Sequence, residues 1–220
     1  EPFLKYIWNR YNFDENVAEI VDNSEFSSLC NKVDTDTYNH SNEPKNICIK
    51  FLRNLKELNN ITKEDHLKRC SNIYYWLYYK IKEHNICVHT FKSIIAESNE
   101  LIKQQQNIDG CYNDKLYENF DETENLVMLH IFNNNFHVIQ ELLNNECDSN
   151  KCSCKKFIKK CVDSYKHMRK KHCPTEKFAS DKMHTCLPVN NFKEIMRHFF
   201  RRKIININFQ NYLLKLLRIL

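Results

Sequence analysis

Apolar residues return at helical spacing through most of this chain. Leu4, Ile7, Trp8 and Tyr11 share one face behind Pro2, a residue suited to a first helical position. Cys48, Phe51, Leu52 and Leu55 repeat the i, i+3, i+4, i+7 pattern. Asn59 and Asn60 interrupt it, and Thr62 with Asp65 resembles a capping box opening the next helix. That helix carries Leu67, Cys70, Ile73, Tyr74, Leu77, Tyr78 and Ile81. Phe91, Ile94, Ile95, Ser98, Leu101 and Ile102 form a further stripe. Leu129, Phe132, Phe136, Ile139 and Leu143 read as one long helix. Cys154, Ile158, Cys161, Tyr165 and Met168 make the next, which Pro174 should stop. Phe192, Ile195, Met196 and Phe199 make the last. Residues 204–209 alternate like a strand, but the pattern is short and isolated.

These stripes predict an all-α fold of about seven helices with no significant sheet. The simplest organisation is one disulfide-stapled helical domain over residues 1–200, followed by a basic and apolar tail at 201–220. The polar stretch 103–121 predicts a long loop, and it holds Gly110, the one glycine of the chain. That single glycine excludes the glycine-rich loops that cradle phosphates. It also argues against a fold built on hairpins, whose turns ask for glycine at positive φ. With 42% hydrophobic residues, the chain has the apolar material for a core, which excludes a disordered protein.

The formal charge of +5 is only mildly basic, but the basic residues cluster. Lys155, Lys156, Lys159, Lys160, Lys166, Arg169, Lys170 and Lys171 fall in one segment, and Arg201, Arg202 and Lys203 form another. Acidic residues gather between Asp114 and Glu124. Phe157, Cys161 and Tyr165 are spaced to face a core, which turns the lysines outward as a solvated helix face. No nucleic-acid partner is therefore expected, although a basic helix could follow a phosphate backbone. The tail ends in Leu213, Leu214, Leu216, Leu217 and Leu220, with Lys215 and Arg218 between them. It reads as a last core helix, or as a basic amphipathic segment associating with a membrane surface. No run of about 18 apolar residues exists to span a bilayer. Glu1 in place of an initiator Met suits a fragment or a processed form.

The chain has 11 cysteines, more than cytosolic proteins ordinarily use without a metal. An odd count leaves at least one thiol free or paired outside the chain. Cys147, Cys152, Cys154, Cys161, Cys173 and Cys186, with His172 and His184, supply the donor types of a metal site. Zinc knuckles need paired ligands two to four residues apart, and no CxxC occurs; Cys152 and Cys154 are too close. The spacing favours disulfides or buried structural cysteines, so no metal and no cofactor are expected. Cys87 beside His84 and His89 lacks a third, orienting residue, and no catalytic residue is assigned. Cys154 and Cys161 share a helix face but lie about 10 Å apart along it, too far to bond to each other. Neighbouring helices suggest Cys48 with Cys70, and Cys147 or Cys161 with Cys173 or Cys186, though connectivity is not legible in a sequence.

The segment Lys68-Arg69-Cys70-Ser71-Asn72-Ile73-Tyr74-Tyr75-Trp76-Leu77-Tyr78-Tyr79-Lys80-Ile81 resembles the most recognisable motif of the Plasmodium interspersed repeat (PIR) variant antigens, and more narrowly the Vir branch of the vivax malaria parasite. The resemblance extends over about residues 25–200 in an ordered series: Cys30, then Ile47-Cys48 with Phe51 to Leu55, Cys111, Cys147, Tyr165, Cys173, and Cys186 before Phe192. Residues 1–20 do not closely match the family's start. The resemblance implies an exported antigen displayed at, or associated with, the infected red-cell membrane. It would serve antigenic variation, immune evasion and adhesion, with a host cell-surface protein or an antibody as partner. The motif residues Tyr74, Tyr75, Trp76, Leu77 and Tyr78 would form its core. Cys30, Cys48, Cys70, Cys111, Cys147, Cys161, Cys173 and Cys186 are the structural disulfide candidates. After Phe199 the family commonly continues to a membrane-spanning helix, so this chain is expected to be a short, unanchored member or the ectodomain of a longer one. The alternatives are an intracellular metal-binding or nucleic-acid-binding helical module, and a remodelling protein on the cytoplasmic side of the host membrane. Both would keep their thiols reduced.

Overall fold

A computed structural model describes residues 2–15, 22–33, 42–60, 63–103, 120–144 and 149–201. The stretch 204–209, the tail beyond Arg201, Thr62, Cys111, Cys147 and nearly all of the 103–121 stretch lie outside the described residues. Among the described residues there is no strand, and nine α-helices carry the chain. They are α1 (Pro2–Arg10), α2 (Asp22–Cys30), α3 (Glu43–Lys56), α4 (Lys63–Glu83), α5 (Val88–Lys103), α6 (Phe120–Asn134), α7 (Phe136–Asn144), α8 (Ser149–Lys171) and α9 (Met183–Arg201).

Two differences from the expected seven have physical reasons. Helix α2 is short and mostly polar, so it shows no stripe, yet Phe26 and Cys30 are buried. The long stripe from Leu129 to Leu143 is two helices, α6 and α7, because Asn135 breaks the ladder. Its side-chain amide donates to the Ile131 carbonyl at 2.9 Å, and its own carbonyl accepts the first amides of α7, from Val138 and Ile139. A buried asparagine thus closes one helix and opens the next without disturbing the apolar face. Helix α8 stops as Pro174 requires. The Met168 carbonyl accepts from both His172 and Cys173, and the chain then leaves the helix. Helix α9 begins well before its sequence stripe and runs through Pro188, whose carbonyl accepts a 3.0 Å bond from the Asn133 side chain of α6.

The helices group into two compact units, and the boundary falls inside α1. Unit 1 comprises Glu1–Ile7 and Asn113–Leu220. In it α6 packs on α8 and α9, and α7 packs on α8. Its core is a run of rings: Tyr165 to Phe192 at 5.3 Å, Phe192 to Phe132 at 4.7 Å, Phe132 to Phe136 at 5.8 Å, and Phe136 to Phe199 at 5.2 Å. Phe3 adds a ring contact with Phe157 at 4.5 Å. Unit 2 is Trp8–Tyr112. There α3 packs on α2, α4 and α5, and Phe51 meets Tyr74 edge-on at 5.2 Å.

Candidate functional site

The aromatic motif on α4 is built into unit 2. Tyr74, Tyr75, Trp76, Leu77 and Tyr78 are all buried, five in succession. Five consecutive residues sweep more than a full turn, so this stretch is enclosed on every side and offers no surface to a partner. Its Trp76 indole, with polar side chains of α3 and α4 around it, is aimed at one short segment, Tyr11–Asp14, that follows α1. The Trp76 indole Nε1–H donates to Asp14 Oδ1 at 3.2 Å, and the Lys80 ammonium lies 2.9 Å from the same oxygen. Burial opposes charge on Lys80, but the bonds from Asp14 and Glu83 win and hold its pKa above the ordinary lysine range. From α3, Lys50 donates to the Asp14 carbonyl, Arg53 to those of Asn12 and Phe13, and Asn54 to that of Phe13. From α4, Arg69 donates to the Tyr11 carbonyl at 3.0 Å and to Glu57 at 2.8 Å, and its guanidinium stands 5.7 Å from the Phe13 ring. Cations on carbonyls just past a helix C-terminus also complement its dipole. Residues 11–14 had no assigned role in the sequence. The only signal was Tyr11 on the first stripe.

Among the described cysteines, Cys30 bonds to Cys48 and Cys173 bonds to Cys186. The first pair ties α2 to α3, and the second ties the end of α8 to α9. The expected Cys48–Cys70 pairing is thereby corrected: Cys48 is taken by Cys30, which the short helix α2 brings alongside. Cys70 is disulfide-bonded as well. Cys161 is corrected too. It keeps its thiol, is fully buried, and donates from its sulfur to the Met128 carbonyl at 3.7 Å. Cys173 pairs with Cys186 instead, because the turn after α8 folds α9 back onto it. Cys87, Cys152 and Cys154 keep their thiols as well. Burial pushes the Cys154 thiol up to about 12, which makes it inert at neutral pH. Cys87 precedes α5, where its sulfur accepts from the Thr90 amide at 3.4 Å and shares a 3.2 Å hydrogen bond with the Thr90 hydroxyl; these contacts cap a helix and build no Cys–His dyad.

Unit 1 holds a charge cluster that the sequence left in two separate runs. Glu122, at the start of α6, is buried with a lysine and two histidines from the end of α8 around its carboxylate. Lys171 is 2.5 Å away, His167 3.0 Å and His172 3.2 Å. Asn125 donates a further bond at 3.1 Å. Burial alone would raise the carboxyl pKa; the bonds from Lys171, His167, His172 and Asn125 outweigh it and hold Glu122 far below the usual range. Two histidines and a carboxylate suggest a metal, but the Lys171 ammonium holds the place a cation would take. Cys173 and Cys186, two of the candidate thiolate donors, are consumed by their own disulfide. Among the described residues no three His, Cys, Asp or Glu side chains are placed to hold a metal ion. The same helix turns Lys156, Lys159, Lys160 and Lys170 to solvent, while Phe157, Cys161 and Tyr165 are buried. Among the described residues no helix is long and apolar enough to cross a membrane.

A family model described as Plasmodium vivax Vir protein matches residues 9–201. No curated protein and no solved structure gives a match. The matched region starts earlier than the motif series at residue 25. The fold gives the reason: Tyr11–Asp14 is bonded into the α3–α4 pair and belongs to the same structural unit.

Proposed function

The chain belongs to the Plasmodium vivax Vir protein family of variant antigens, and from that premise we propose that it is exported and displayed at the infected red-cell surface. There it serves antigenic variation and immune evasion, with adhesion to a host cell-surface protein as its binding activity. The observation that carries this reading is the pair of disulfides, Cys30–Cys48 and Cys173–Cys186. Stable disulfides belong to oxidising compartments, and a remodelling protein in host cytoplasm would hold these thiols reduced. The division of labour follows from burial. The stapled aromatic cores are the constant part, since a change at Trp76 or Phe192 disturbs packing on every side. Solvent-facing helix positions tolerate substitution and carry the variation that antibodies read.

The test is labelling of infected red cells with antibodies raised against the folded, disulfide-intact chain. The expected result is label on intact cells, removed by brief surface proteolysis. Label that appears only after permeabilisation would overturn surface display.

A further inference from the structure

We propose that the solvent face of α8 is a docking strip for a linear sulfated glycan. Lys156, Lys159, Lys166 and Lys170 fall within about 80° of the helix circumference and span about 21 Å along it. Among the described residues none of the four has a carboxylate partner. Asp163 is the one acidic residue on this arc, so the strip keeps a surplus of three positive charges (four lysines less one aspartate). The arginine of this helix is used elsewhere: Arg169 is bonded to Asn190 at 2.8 Å and to the Thr175 carbonyl. Lys171 is held by Glu122 at 2.5 Å.

The chemistry of the face narrows the partner. A helix that enters a lipid interface sets apolar side chains beside its basic ones, and the exposed arc of α8 has none. Single-stranded nucleic acid is gripped by aromatic stacking, and Phe157 and Tyr165 are both turned into the core. What remains is a row of unpaired ammonium groups that binds a flexible chain of fixed negative charges by counterion release. The disulfides suit an oxidising compartment, in keeping with the surface-display reading. Anionic lipids concentrate on the cytoplasmic leaflet. Sulfated glycan chains are linear polyanions available on the outer side. The proposal rests on the surface-display reading and names the partner class for it.

The experiment titrates the full, disulfide-intact chain against fluorescent heparin oligosaccharide at several salt concentrations. The log–log salt slope should be roughly −3, for about four contacts on a flexible polyanion. Replacing Lys156, Lys159, Lys166 and Lys170 by Gln should weaken binding at least tenfold at 0.15 M salt, with an unchanged thermal melt. A control with Lys45, Lys68, Lys92 and Lys177 changed to Gln removes the same charge from other elements and should stay within twofold of the parent. Equal loss in both variants would overturn the proposal, since net charge alone would then account for binding. Equal affinity for desulfated heparin, or tighter binding to phosphatidylserine–phosphatidylcholine vesicles, would overturn it as well. The titration uses purified chain, so its failure leaves the cell-labelling result untouched, and failed labelling leaves the titration untouched.

Discussion

Asn12 and Asn85 hold φ angles of 58° and 52°, the left-handed region that glycine ordinarily fills. Each ends a helix in the same way. Phe13 N–H reaches back to the Trp8 carbonyl and Asn12 N–H to that of Asn9; Ile86 N–H reaches Ile81 and Asn85 N–H reaches Lys82. Those are Schellman closures, and in the first the Trp8 and Phe13 rings supply the accompanying apolar contact at 6.1 Å. A chain with one glycine uses asparagine because its short polar side chain tolerates this backbone best among the rest. Asn12→Val should cost about 1–2 kcal/mol in urea unfolding, while Asn12→Gly should be neutral or stabilising. Asp14 gives a second case. Asp14→Ala leaves the buried Trp76 indole N–H without its acceptor and should cost about 1–3 kcal/mol. Trp76→Ala removes the ring itself and should cost about 3–5 kcal/mol. Circular dichroism followed through urea titration checks both, and equal stability of Asp14→Ala and parent would mean that the Tyr11–Asp14 segment does not support the motif. The buried motif was legible in the sequence because its aromatics are contiguous. Asp14 was not, since a lone aspartate in a polar stretch carries no mark of the tryptophan 62 residues away.

Helices with clear stripes were legible, and the exceptions share a cause. Helix α2 has too few apolar residues to declare itself, and its position depends on the Cys30–Cys48 bond and on packing against α3 and α5. The break at Asn135 was invisible because a stripe reports facing, and facing survives a one-residue interruption. Pro188 hid the first half of α9, since proline inside a helix ordinarily argues against one. Disulfide connectivity depends on which helices neighbour each other, so Cys161 was misplaced among the bonded cysteines. Each bridge closes a short loop, 18 residues for Cys30–Cys48 and 13 for Cys173–Cys186. Replacing either pair by serine should cost about 3 kcal/mol. The cost of the Cys30–Cys48 pair should show first as lost protection of α2 amides in hydrogen exchange, because the bond ties this short, mostly polar helix directly to α3. Unchanged protection would mean that α2 is held by its packing alone.

At the scale of the whole molecule the two units differ in their ionisable groups. In unit 1, burial and the nearby His184 push the His130 pKa down to about 4. The folded state therefore binds fewer protons than the unfolded one below about pH 6.5, so this stability is complete above that pH and falls as the pH drops towards 4. The loss is on the order of 3 kcal/mol. Glu122, also depressed, adds a second loss that begins as pH falls below the ordinary glutamate range, near 4.5. Both tryptophans, Trp8 and Trp76, belong to unit 2, so indole fluorescence reports that unit alone while circular dichroism reports both. Between pH 7 and 5 the circular dichroism melt should acquire an early phase that fluorescence does not follow. His130→Gln should flatten that pH dependence, and coincident transitions at every pH would contradict separate unit stabilities.

Surface display requires that the cores of this Vir chain be stapled in an oxidising compartment. The most direct measurement is cysteine mapping by mass spectrometry on the chain taken from infected red cells, alkylated at once and digested without reductant. Linked peptides are expected for Cys30–Cys48 and Cys173–Cys186, with Cys154 and Cys161 alkylated only after unfolding. Cys30, Cys48, Cys173 and Cys186 all recovered as alkylated thiols from the folded chain would contradict surface display.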